Sequence, residues 1–152
     1  MNNGYSPALI QLPLVRECDD RRCREPADVY RICMDLARMA QEAFHVLCLN
    51  TKNMLISRHM VTLGLLDSSL VHPREVFRTA IEQQSAALIL VHNHPSGDPA
   101  PSAEDLRITR QLVEAGKIID IKVLDHVIIG RPSESNQSGY ASLRESGMVA
   151  FA

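Results

Sequence analysis

The spacing of apolar positions changes several times along the chain, and each change marks an element. Over residues 27–41, ADVYRICMDLARMAQ, Val29, Ile32, Cys33, Leu36, Met39 and Ala40 recur at helical spacing, which predicts a helix. The next stretch, EAFHVLCLN, holds two interleaved sets: Phe44, Val46 and Cys48, and His45, Leu47 and Leu49. Successive strand residues face opposite sides, so this pattern predicts a strand buried on both faces. Asn50-Thr51-Lys52-Asn53 has turn composition, and a second strand resumes over 54–65, completing a hairpin. Pro73 suits the first turn of a helix, and HPREVFRTAIEQQ gives that helix an apolar face of Val76, Phe77, Ala80 and Ile81. Residues 86–91 are apolar without a break and predict a central strand. The loop HNHPSGDPAP follows. Ser102 then caps a helix expected to run to about Ala115, with Glu104 and Asp105 in its first turn and Gly116 at its end. Strands are expected over 118–124 and 127–129, a polar loop over 131–139, and a short closing strand near 140–143. Helices and strands mixed around one sheet give an α/β (α+β) single domain. Residues 1–26 are less regular. Pro7, Pro13, Pro26 and the charged stretch from Arg16 to Glu25 predict an N-terminal arm, with the domain over 27–152.

Composition narrows the function classes. The 152 residues suit one domain with a real core. Aromatic residues are only 4% and Trp is absent, so that core is mainly aliphatic. A formal net charge of −2 supplies no bulk attraction to nucleic acid or anionic membrane, although Arg21, Arg22 and Arg24 form a small basic cluster. The longest apolar runs fall far short of the roughly 20 residues of a membrane span. The start, MNNGYSPALIQLPL, lacks the basic-then-apolar order of a signal peptide, so a cytoplasmic protein is expected. Cys18, Cys23, Cys33 and Cys48 include no C-x-x-C pair. Cys48 lies in an apolar alternation and is expected as a buried thiol, and disulfides are not expected in a reducing compartment.

The candidate chemistry lies in residues 91–105, VHNHPSGDPAPSAED. His92 and His94 stand where a buried strand gives way to a loop. Two residues apart on a strand, they point to the same side. Asp105 lies in the first helical turn after the Ser102 cap, and the Pro- and Gly-rich loop can fold that turn back to the strand end. Taken singly, such a histidine is an ordinary polar residue and such an aspartate an ordinary capping group. Taken together, two imidazoles and a carboxylate with a fourth position for water make the donor set of a catalytic zinc site.

The segment His92-x-His94-Pro95…Ser102-x-x-Asp105 resembles the JAMM motif of the MPN-plus metallopeptidases. More closely, HPREVFRTAIEQQSAALILVHNHPSGDPAPSAED, the later VLDHVIIG and the ending YASLRESGMV resemble the RadC family of bacterial JAMM-domain proteins, over roughly residues 27–150. The resemblance implies an MPN/JAB fold of the cytidine deaminase-like kind. It implies a short form without the N-terminal helix-hairpin-helix region of full-length members. It also implies that His92, His94 and Asp105 hold zinc and that Ser102 helps to stabilise an oxyanion. In that family a glutamate at the head of a strand beside the central strand acts as general acid/base, and Glu42, 50 residues before His92, matches it. Zinc lowers the pKa of bound water to about 7, and a peptide or isopeptide bond is the substrate such a set suits.

Rivals remain inside the site. Glu75 is also upstream, although the first turn of a helix accounts for it. Glu104 is the alternative ligand to Asp105. A helix turns about 100° per residue, so only one of the two can face the metal, and the motif favours Asp105. Asp125-His126 reads either as a turn or strand-end pair that satisfies backbone groups or as a contact beside the metal. His72 and Arg74 could line the cleft or cap a helix. His45 and His59 read as structural or surface residues. Three function classes follow: a zinc hydrolase acting on a peptide or isopeptide-linked protein, a nucleic-acid-associated RadC-type protein of DNA repair or recombination, and a scaffold that keeps zinc for structure. The neutral charge and the absence of a basic stripe argue against direct nucleic-acid binding.

Overall fold

The computed structural model describes residues 21–64 and 71–151. Its first long strand shows why the fold is layered. In β1 (Ala43–Leu49) every residue is buried. Phe44, Val46 and Cys48 enter one apolar cluster, with Val76, Phe77 and Ala80 of α2 (Pro73–Glu82) and Ile108, Leu112 and Val113 of α3 (Ala103–Ile119). Ala43, Leu47 and Leu49 enter a second cluster on the other face, with Val29 of α1 (Pro26–Ile32), Cys33 and Leu36. The two interleaved apolar sets of the sequence thus become two cores, one on each side of a single sheet.

That sheet has five strands in the order β2-β1-β3-β4-β5. The hairpin partner β2 (Leu55–Leu63) is at one edge and pairs antiparallel with β1. Next comes β3 (Ala87–Asn93), buried throughout and antiparallel to β1. It runs parallel to β4 (Lys122–Ile129), with α3 as the crossover between them, as a parallel pair requires. The short β5 (Tyr140–Ser142) closes the other edge. The mixed single-domain architecture expected from the sequence is the one observed.

Three local expectations need correction. The helix expected over 27–41 is two pieces, α1 and a 3-10 turn over Met34–Arg38. The amide of Leu36 bonds three residues back to Cys33, while the Ile32 carbonyl accepts from Arg58, so the α-helical ladder stops there. Helix α3 does not end at Gly116. It continues to Ile119, and Asp120 closes it in the left-handed conformation at φ 64°. Gly116 answers a packing need, because a Cβ there would lie 2.5 Å from the Ile121 carbonyl oxygen. Finally, the strands expected over 118–124 and 127–129 are one strand, β4, and residues 118 and 119 are helical. Asp125 does not interrupt it because Ser142 Oγ and the amides of Arg144 and His126 satisfy its carboxylate.

Of the expected arm over 1–26, residues 1–20, including Cys18, lie outside the described residues. Its described part packs on the sheet: Arg22 bridges to Met54, the Cys23 amide donates to Asn53, and Cys23 is buried. Cys23, Cys33 and Cys48 are free and buried. No described helix is long and apolar enough to cross a membrane.

Candidate metal centre

Three elements deliver the candidate side chains to one point. His92 is near the C-terminal end of β3 and His94 just beyond it. Glu42 immediately precedes β1, and the antiparallel register that sets Phe44 against His92 brings Glu42 towards His94. Asp105 is the third residue of α3. There Ser102 Oγ accepts from the Asp105 amide at 3.0 Å, and the Asp105 carboxylate accepts from the Ser102 amide at 2.9 Å. This reciprocal capping box fixes both the helix start and the carboxylate.

The loop between them is pinned rather than loose. The His94 amide donates to Ile129 O, and the Arg131 amide donates to Gly97 O. The Arg131 guanidinium donates to the carbonyls of Pro95 and Ser96. A Cβ on Gly130 would overlap the Gly97 carbonyl, so this crossing requires glycine. The loop thereby anchors His94 to the end of β4.

The result is a tight convergence. Glu42, His92, His94 and Asp105 each offer one ligand atom, and these four atoms lie within 4.8 Å of one another. His92 Nε2 is 3.0 Å from His94 Nε2, 3.3 Å from Asp105 Oδ1 and 3.5 Å from Glu42 Oε1. His94 Nε2 is 3.1 Å from Asp105 Oδ2. His94 Nδ1 donates to the Asp98 carbonyl at 2.9 Å, which leaves its Nε2 to face the cluster. His92 and Asp105 are buried, whereas the Glu42 side chain is 25% exposed and so meets solvent at the mouth.

Electrostatics follow this layout. Burial works to raise the Asp105 carboxyl, but the bonds from His92 and His94 prevail and hold it well below the usual carboxylate range. Burial raises Glu42, opposed by the two histidines and supported by the charge on Asp105. For His94 burial lowers proton affinity, and the bonds to Asp105 and Asp98 more than offset it, so its pKa is raised. One carboxylate is thus held ionised, and the other retains affinity for a proton.

The rival residues fall elsewhere. Glu75 is half-exposed at the start of α2, beside Arg74. Glu104 pairs with Arg107 at 3.0 Å on the outer face of α3. His72 precedes α2 without capping it through its side chain, and Arg74 is exposed. His45 bonds Arg58, and His59 bonds Ser57, neither in the cluster. The Asp125-His126 pair is neither a turn nor a strand end, and it splits. Asp125 bonds Ser142, whereas His126, wholly buried on the other face, puts Nε2 2.7 Å from His92 Nδ1. Thr109 and Asn93, which carry no motif, also touch this assembly. Their only signal in the sequence is position: Thr109 follows Asp105 by one helical turn, and Asn93 stands between the two histidines on the opposite face of the strand.

A family model described as RadC-like JAB domain matches residues 23–148. The chain is 46% identical over 140 residues to a UPF0758 protein of Alkaliphilus metalliredigens, covering 91% of this chain and 58% of the relative. It is 48% identical over 138 residues to a UPF0758 protein of Listeria innocua, covering 90% and 59%. It is 54% identical over 114 residues to one from Symbiobacterium thermophilum, covering 75% and 46%. The chain therefore spans about half the length of these curated relatives.

Proposed function

Starting from the chain's membership in the RadC-like JAB domain family, we propose that this protein is a zinc-dependent hydrolase of the JAMM type, acting on peptide or isopeptide bonds. The observation that carries it is the convergence of two imidazole nitrogens and two carboxylate oxygens within 4.8 Å at the end of a rigid strand. The donor set fits a divalent ion. Both Nε2 atoms face inward, and Asp105 stays ionised in a buried position. His92, His94 and Asp105 would hold the ion, and nitrogen and oxygen donors of this kind suit zinc. When bound, zinc would supply a Lewis acid that brings the pKa of water to about 7.

The chain's own residues supply the rest. Glu42, partly exposed at the mouth and raised in proton affinity, would take the proton of the attacking water and pass it to the leaving amine. Ser102 accepts from Asp105 and keeps its own O–H to donate towards a developing oxyanion. The substrate would be a peptide or an isopeptide-linked protein, met in the cytoplasm. Direct contact with nucleic acid is not proposed, given the net charge of −2.

The test is elemental analysis of protein purified without added metal, followed by hydrolysis assays on peptide and isopeptide substrates. About one zinc per chain is expected, lost in His94→Ala and kept in Glu42→Gln, with turnover abolished in both variants. Zinc lost from Glu42→Gln would move Glu42 from proton carrier to ligand. No zinc in a folded wild type would sink the hydrolase.

A further inference from the structure

Behind His92 runs a chain of hydrogen bonds that the metal ligands alone do not require. Thr109 Oγ1 donates to the Asp105 backbone carbonyl at 2.5 Å. The same oxygen lies 2.5 Å from His126 Nδ1. A hydroxyl has one hydrogen, and a carbonyl can only accept, so the hydrogen is committed to Asp105. Towards His126 the hydroxyl must then accept, and His126 carries its proton on Nδ1. His126 is fully buried, and its two ring nitrogens face a hydroxyl and an imidazole rather than a carboxylate, so the ring is neutral. Its Nε2 is therefore a bare acceptor. His92 Nδ1, 2.7 Å away, must be the donor. This leaves His92 Nε2 without a hydrogen, facing Glu42, His94 and Asp105. Phe44 packs against both rings, so neither is free to turn.

We propose that Thr109 and His126 are positioning residues whose hydrogen bonds fix the tautomer of His92, presenting Nε2 as a preformed donor for the metal. The inference rests on the metal-site reading above and extends it to two residues that touch no ion. A neutral imidazole has two tautomers, and only the one bare at Nε2 can ligate in this geometry. The origin of the order is the Asp105 carbonyl. The helix that supplies one ligand through its side chain thus sets the protonation of another through its backbone. Partners that orient a ligating histidine in this way typically change metal affinity by 10–100-fold when removed.

Two measurements test the relay on the full chain. The first is ¹⁵N imidazole NMR of metal-free wild type, with Zn²⁺ absent throughout. Hydrogen on Nδ1 of both His92 and His126 is expected, and hydrogen on Nε2 of His92 would overturn the proposal. The second is Zn²⁺ affinity by chelator competition for Thr109→Val and Thr109→Ser, with folding checked by circular dichroism. The valine keeps the shape and loses the hydroxyl, so its affinity is expected to fall at least tenfold. The serine restores the hydroxyl and is expected within about threefold of wild type. A folded valine variant with wild-type affinity, or a serine variant as weak as valine, would overturn it. Should wild type bind no zinc, the hydrolase fails. The tautomers of the metal-free protein then still decide the relay.

Discussion

The side-chain amide of Asn93 holds the backbone on both sides of Glu42. Its Oδ1 accepts from the Ala43 amide at 2.7 Å, and its Nδ2 donates to the Gln41 carbonyl at 2.9 Å. Strand alternation makes this possible, because Asn93 faces away from the side shared by His92 and His94. The same three-residue strand end therefore presents two imidazoles and clamps the peptide that bears the candidate acid/base. Asn93 and Ala43 are buried, so Asn93→Ala strands the Ala43 amide without a partner and frees the Gln41 carbonyl. A loss of about 2–3 kcal/mol is expected. Urea unfolding measures it, and a change below about 0.5 kcal/mol would show that the clamp is idle.

Gly116 gives a prediction whose sign opposes the usual rule. In a helix interior, Gly to Ala ordinarily stabilises by about 0.5–1 kcal/mol. Here a new Cβ meets the Ile121 carbonyl oxygen at 2.5 Å, with Phe77 and Val123 side chains at 3.4 Å. That oxygen belongs to backbone entering β4 and cannot swing aside. Gly116→Ala is expected to destabilise by about 1–3 kcal/mol. A raised melting temperature would mean that the helix–strand junction yields.

Much of this architecture was legible in the sequence because apolar periodicity reports burial directly. The double set in Phe44–Leu49 and the unbroken run into β3 described a sheet covered on both faces, and the structure has one. The HNHP segment and its aspartate were legible because strand and helix periods are regular. Errors arose where a side chain from elsewhere intervened. Arg58 takes the Ile32 carbonyl and ends α1 early. Ser142 and Arg144 satisfy Asp125, so a polar pair continues the strand instead of breaking it. Gly116 has the composition of a helix stop, yet it serves a close approach to residue 121. Thr109 escaped notice for the same reason, since its partner His126 is 17 residues away and on another element.

The buried His45 makes stability depend on pH. Arg58 Nε donates to His45 Nδ1 at 2.9 Å while the guanidinium holds Asp35 through two bonds of 2.8 and 2.7 Å. Burial first, and the Arg58 charge second, bring the imidazole down from 6.5 to about 4. Between these values the unfolded chain binds a proton that the folded chain refuses. Stability therefore falls as pH drops from 6.5 to about 4, and this contribution levels off below. Its full size is on the order of 3 kcal/mol. The comparison is with His45→Gln, which keeps an acceptor for Arg58 and does not ionise. Unfolding free energies measured across that range are expected to decline less steeply in the variant, and parallel declines would remove His45 from the account.

Metal removal separates a site that does chemistry from one that holds the fold. Asp105 and the two histidines lie at the rim of the sheet, while the two apolar clusters that join helices to strands are complete without them. Chelation is thus expected to leave the circular dichroism spectrum unchanged. It should still lower the melting temperature, because an ion bound only by the folded state adds about 2.7 kcal/mol at a hundred times its Kd. The bonds from Asp105 and Asp98 raise the proton affinity of His94, so its inward-facing nitrogen lies beside the Asp105 carboxylate with or without the ion. Asp105→Asn removes both the partner and the charge, so it is expected to abolish the melting shift on adding Zn²⁺ while remaining folded. A chelated wild type that unfolds would instead assign the metal a structural role.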